Sequence, residues 1–362
     1  SKIDSVTGHG VMAHFSKIGG KFWNFSLDID MRDKNFEIND LGFLDRNNIN
    51  SYYMGHSFFT TNPIWKFQET STNLSMWYQE TPEEIISKEK LAISSGLSIG
   101  TSITFLNQWS FGLDISKKLP GHDDVDTRRF GALGPIIEDP GTISLSSWIA
   151  AKPGKIINQQ LSVFGGKDDY ASKWYGLSYG LELSPREYYS ISIAPDFSWN
   201  YDESQWIFTD VDTTSLYGAL TSQTISIGIR GNYSFTPDMS LQLFVQPFVA
   251  IGKYDKYGWI LKPKAYPFNG SEDEFIIWKD QAGELVDWED DFNTKSLNWQ
   301  SVFRWEYRPG SVIFFIWSFS SADNALLTPS FSGEFDIPGS FKNLFDQVAT
   351  HQFLIKYNYW MK

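Results

Sequence analysis

The chain has 362 residues, with 43 acidic against 30 basic side chains, a net charge of −13 and no cysteine. That balance excludes a phosphate-neutralising nucleic-acid surface, and the missing thiols exclude disulfides and Cys-based metal or nucleophile chemistry. Aromatics make up 17% of the residues, mean hydropathy is −0.30, and no run reaches the ~18 apolar residues of a membrane helix. A chain rich in amphipathic aromatics yet polar on average fits a transmembrane β-barrel, where lipid-facing and lumen-facing residues alternate and cancel.

In chain order, period-2 patterning predicts about fifteen strands: near 2–17, 21–31, 49–61, 64–80, 86–105, 109–118, 142–152, 155–167, 172–184, 187–209, 213–235, 239–254, 295–308, 311–321 and 349–361. Tyr175, Leu177, Tyr179, Leu181 and Leu183 alternate with Gly176, Ser178, Gly180 and Glu182. Ile225, Ile227 and Ile229 alternate with Ser226, Gly228 and Arg230, and Leu297, Trp299, Phe303 and Trp305 with Asn298, Gln300 and Arg304. One face is large and apolar. The other is rich in Ser, Gly, Asn and Gln, which suits a crowded wet lumen better than bulk water.

Short connections carry turn chemistry, as in Lys17-Ile18-Gly19-Gly20, Thr61-Asn62-Pro63, Leu106-Asn107-Gln108, Lys152-Pro153-Gly154, Ser184-Pro185-Arg186, Thr236-Pro237-Asp238 and Arg308-Pro309-Gly310. Long connections fall near 31–48, 119–141, 254–294 and 322–348. Tight turns on one side and long loops on the other are the asymmetry of an outer-membrane barrel. Single-chain bacterial barrels carry an even number of strands, so an odd count implies one piece of a larger barrel with strands upstream of Ser1. Ser1-Lys2-Ile3-Asp4 has neither a basic start nor an apolar h-region, so the expected leader is cleaved or belongs to a longer protein. The expectation is an all-β, antiparallel transmembrane barrel piece over 1–362 in a bacterial outer membrane, closed by its own missing strands or by another chain.

Four stretches carry a family resemblance: Phe36-Glu37-Ile38-Asn39-Asp40-Leu41-Gly42-Phe43-Leu44; Thr236 to Leu243 with Gln246-Pro247-Phe248; Ser296 to Trp299 through Arg304-Trp305-Glu306-Tyr307-Arg308-Pro309-Gly310-Ser311 to Trp317-Ser318; and Phe353 to Trp360. Together they resemble the C-terminal barrel region of a large uncharacterised family of bacterial outer-membrane proteins. Its members carry an N-terminal domain similar to family 9 carbohydrate-binding modules. The resemblance implies that this module and early strands lie upstream, and it brings no reaction to carry over.

Candidate residues follow from chemistry. Arg304 and Glu306, two apart on one strand face, with Arg230 on another strand, are candidates for a charged lumenal constriction; the plainer reading is an ion-pair ladder that holds register. Asp287, Glu289, Asp290 and Asp291 could offer oxygens to Ca²⁺, against the plainer reading of a solvated loop. No other cofactor is indicated. Glu272, Asp273 and Glu274, and Asp123, Asp124 and Asp126, form similar acidic runs. The five histidines show no zinc-protease spacing, and the adjacent His56 and Ser57 point to opposite strand faces, so they cannot act as a pair. Trp23, Trp65, Trp109, Trp174, Trp199, Trp305 and Trp360 lie near strand ends, as an interfacial aromatic girdle requires; stacking of sugars is the sharper alternative. Two functions stay open: a channel or porin-like uptake protein, for glycans if the resemblance holds, and a non-transporting scaffold docked to outer-membrane subunits. No catalytic constellation supports an enzyme. The expected partners are membrane lipid, oligosaccharide and outer-membrane subunits.

Overall fold

The structure is a computed structural model. It describes residues 7–38, 44, 46–82, 90–125, 134–154, 156–210, 214–262, 265–266, 274–279, 284–285, 291–322, 336–342, 344 and 348–361.

Among the described residues, eighteen strands and one helix follow in order. They are β1 (Gly10–Lys17), β2 (Trp23–Arg32), β3 (Ile49–Thr60), β4 (Phe67–Thr81), β5 (Leu91–Phe105), β6 (Ser110–Leu119), β7 (Gly121–Asp123), β8 (Ile137–Asp139), β9 (Thr142–Ala150) and β10 (Ile157–Asp168). Then come β11 (Lys173–Arg186), β12 (Tyr189–Thr209), β13 (Ser215–Thr236), β14 (Met239–Ile260), β15 (Phe275–Ile277), β16 (Phe292–Arg308), β17 (Ser311–Ala322), α1 (Ile337–Lys342) and β18 (Ala349–Asn358).

Fifteen of the strands form a single antiparallel meander, β1 to β6, β9 to β14, then β16 to β18. Each expected strand is present at its place. Three pieces went unforeseen: the β7–β8 hairpin, the short β15 paired to the end of β14, and α1. All three sit inside long connections, where no alternation announces them. Strand β14 also runs to Ile260 rather than 254, and β1 begins at Gly10.

The sheet is not closed on itself: among the described residues β1 pairs only with β2, and β18 only with β17. In an antiparallel meander the first and fifteenth strands run in the same direction, so these two edges cannot complete the antiparallel pattern by pairing with each other.

The seven expected turn sequences sit at connections on one side of the sheet, the turn end. Gly310 shows why such residues are needed there. Its φ of +81° is costly for a side chain, and a Cβ would meet Trp360 at 3.1 Å. Its N–H donates to Glu306 Oε1 at 2.9 Å, fastening the β16–β17 turn.

Register shows that alternation holds across the whole sheet. One row runs Ile115, Leu145, Gly165, Tyr175, Trp199; the next runs Leu113, Ser147, Val163, Leu177, Phe197, Ile225, Val249. Part of this apolar face is exposed; Leu145, Tyr175, Leu177, Phe315 and Ile355 keep 44–67% of their surface open. The buried core lies elsewhere, under the long connections. Leu216, Tyr217, Ala219, Ile251 and Ile260 are at most 1% exposed there.

The exposed band does not follow the rows. Phe15 of β1 is linked by successive pairing through Leu27, Met54, Met76, Leu97, Lys117, Ile143, Lys167 and Lys173 to Tyr201 of β12. Ile355 of β18 is linked through Phe315, Phe303, Leu241 and Tyr233 to Tyr189 of the same β12. On strands paired on both sides, Leu97 of the first row is 50% exposed and Phe315 of the second is 44% exposed, yet these rows lie twelve residues apart on β12. The band therefore climbs diagonally over the meander.

Candidate functional site

The polar face holds the candidate lumen residues. Arg304 Nη2 donates to Glu306 Oε2 at 2.5 Å, so the expected pair forms. Arg304 lies on a row with Ser240 and Phe314, whose other neighbour is Lys356. Arg230 shares the face but not the cluster. Its row holds Glu182, Ser192, Phe244 and Gln300, four residues along β16 from Arg304. Its guanidinium carbon sits 5.0 Å from the Phe244 ring centroid. A cleft of about 680 Å³ opens at the turn end beside Glu182 and Asn232.

Five aromatic side chains on this polar face each lie over a glycine directly opposite on the next strand. The pairs are Trp77 with Gly96, Trp148 with Gly112, Phe164 with Gly176, Trp174 with Gly166, and Phe292 with Gly252. A Cβ built on any of those glycines would come within 2.1–2.4 Å of the ring. A strand glycine sacrifices packing and loosens the backbone; a cross-strand ring restores contact while the sheet coils. Sequence reading missed these pairs, because Trp148, Phe164 and Trp174 break the apolar-out pattern. The legible signal was a lone aromatic among Ser and Gly at polar positions.

Other expectations land as follows. His56 Nδ1 accepts from Trp23 Nε1 at 3.1 Å, while Ser57 Oγ donates to Asn73 Oδ1 at 2.6 Å; the two residues face opposite sides. Asp287, Glu289 and Asp290 lie outside the described residues, as do Asp126, Glu272 and Asp273. Asp291 Oδ1 accepts the Tyr254 N–H at 2.7 Å. Asp124 takes Arg46 Nη2 on both oxygens at 2.8 and 2.9 Å. No group of three or more metal-binding side chains occurs among the described residues.

The long connections build a cap that sequence reading also missed. The chain leaving β14 turns back over the sheet. Glu138, in β8, donates its N–H to Ala265 O at 3.1 Å, and Tyr170 OH donates to Glu138 Oε1 at 2.7 Å. The Tyr170 and Tyr266 rings stack at 4.0 Å, and Tyr266 OH donates to Asp168 Oδ2 at 3.4 Å. Asp168 Oδ1 accepts the N–H groups of Tyr170 and Ser172. Burial, above all, raises the Tyr266 hydroxyl pKa, with the Asp168 charge adding to it. Ile137, Tyr217, Ile260, Ala265 and Phe275 form the apolar cluster beneath, with Trp206 against it. In sheet order this cap joins connections from β6 to β14, spanning seven neighbouring strands. Separately, Asn293 Nδ2 donates to Ser340 Oγ at 3.0 Å and Ser321 Oγ to Leu344 O at 3.4 Å, holding the α1 segment over the apolar face of β14, β16 and β17.

No curated protein and no solved structure matches the chain. The family model described as Domain of unknown function (DUF5916) matches residues 1–362, and the chain belongs to that uncharacterised family.

Proposed function

We propose that the sheet is part of the wall of a transmembrane β-barrel in a bacterial outer membrane, and that it acts as a channel or porin-like uptake protein. The diagonal, exposed apolar band carries this reading. A bilayer is flat, so on tilted strands the lipid-facing band must cross the register rows at the tilt angle. Membrane barrels have such tilted strands. A sheet in water has no reason to expose such a band. In lipid every backbone polar group must pair, so the β1 and β18 edges need partners. The parallel direction of those edges calls for an odd number of added strands, supplied by upstream sequence of the same protein or by another chain. On this reading the polar face lines the lumen, and Arg230, Arg304 and Glu306 set its charge. Ring faces over glycine on that wall suit glycans, which the sequence resemblance also favours.

The test is single-channel current across a planar bilayer, with the full-length protein extracted from its native membrane. Discrete steps that change in size on Arg304→Gln or Glu306→Gln support the channel. Steps unaffected by both variants remove the constriction, and a silent but inserted barrel removes the channel itself.

The cap favours a second reading. A packed roof of loops over one end suits a plugged, non-transporting scaffold, which predicts no conductance and stable co-purification of outer-membrane subunits.

A further inference from the structure

On the apolar face, the row above the Ile115–Trp199 row changes character. On β1 to β5 it reads Phe15, Leu27, Met54, Met76, Leu97; from β6 onward it reads Lys117, Ile143, Lys167, Lys173. The row crosses out of the diagonal band there, so these lysines mark the border of the band on the long-connection side. The chain is net −13, yet no acidic residue interrupts this stretch of the row. Lys167 and Lys173 pair directly across β10 and β11, an arrangement of like charges that is unfavourable unless an anion lies between them. Lys117 Nζ reaches Asp169 Oδ1 at 2.8 Å. Lys173 Nζ sits 5.7 Å from the Trp199 ring, and Trp199 stacks on Tyr175 at 5.1 Å, one row into the band. Cations above the half-buried Trp199 and exposed Tyr175 rings, above exposed Leu177 and Val163, follow the vertical order of a lipid: phosphate, interface, acyl chain.

We infer that Lys117, Lys167 and Lys173 bind the phosphate of an anionic lipid in the leaflet on the long-connection side. The inference rests on the membrane reading above and adds a specific lipid class to it. A lipid is the source rather than free phosphate, because the aromatic and aliphatic rows continue directly beneath the ammonium groups.

The experiment reconstitutes the full-length protein in vesicles of phosphatidylcholine or phosphatidylglycerol carrying brominated acyl chains. Quenching specific to Trp199 is read as the difference between wild type and Trp199→Phe. The expected result is preferential quenching by the brominated anionic lipid, falling about fivefold in apparent affinity for each lysine lost in Lys167→Gln and Lys173→Gln. Equal quenching by both lipids overturns the basic rim while leaving the membrane reading intact. Quenching by neither overturns both. Loss of the preference on adding inorganic phosphate, at constant ionic strength, overturns the lipid as the source.

Discussion

Strands β13 and β14 meet two different surroundings along their own length. From Ser215 to Leu220 every residue is buried, on both sides of the strand, and Tyr257 and Ile260 opposite are 1% exposed. From Ile225 to Phe235 the same strand alternates, and Tyr233 and Phe235 are 41% and 51% exposed. The upper half is built as a water-soluble core, with apolar side chains hidden from solvent by loops. The lower half puts large apolar groups on its surface. The difference teaches that the cap supplies its own cover, whereas the band has none among the described residues; on the membrane reading proposed above, lipid would supply it.

The largest expected effect is in the cap. Leu216→Asn puts an unpaired amide in a site with 0% exposure and should cost about 3–5 kcal/mol, read by denaturant unfolding of the purified protein. The matching change in the band, Leu177→Asn at 44% exposure, should cost well under half of that in detergent. Equal costs would erase the distinction between the two halves. Next, Leu177→Arg should lower folding into lipid bilayers by about 2–4 kcal/mol while leaving secondary structure in detergent intact. A smaller effect, about 1–3 kcal/mol, is expected for Gly112→Val, whose Cβ would clash with Trp148. Trp148→Ala in the same chain should relieve most of it, and the double-mutant cycle reads the coupling.

The smallest effect is at alkaline pH. Burial raises the Tyr266 pKa, so the neutral hydroxyl is the folded form. Its contribution is complete below the ordinary tyrosine range and is lost as pH rises through and beyond it. The cap should loosen at high pH, and Tyr266→Phe should remove one tyrosine from the late-ionising class in the ultraviolet titration.

The band was far easier to read from the sequence than the cap, for a physical reason. Alternation is a local signal, so Tyr175-Gly176-Leu177-Ser178 announces its strand wherever the strand lies, and the meander order follows from short turns. The Arg304–Glu306 pair was legible because two residues along one strand share a face. The cap depends on contacts far apart in sequence, such as Tyr266 with Asp168, and no local pattern carries them. The diagonal slope was also hidden, since it exists only once register ties Phe15 to Tyr201 and Ile355 to Tyr189. The ring-on-glycine pairs fell between these cases: Trp148 looked like a misplaced aromatic until Gly112 lay beneath it.

The central claim is that the exposed band is a flat lipid belt crossing tilted strands. The chain has no cysteine, so Phe15→Cys, Ile355→Cys and Tyr201→Cys each allow a single spin label in the reconstituted full-length protein. Depth is read from the ratio of oxygen to nickel-chelate accessibility. The account predicts that labels at 15 and 355 sit at similar depth within the hydrocarbon, while the label at 201, on the register row of residue 15, sits nearer the headgroups. Equal depth at 15 and 201, or free nickel-chelate access at 15 and 355, would contradict it.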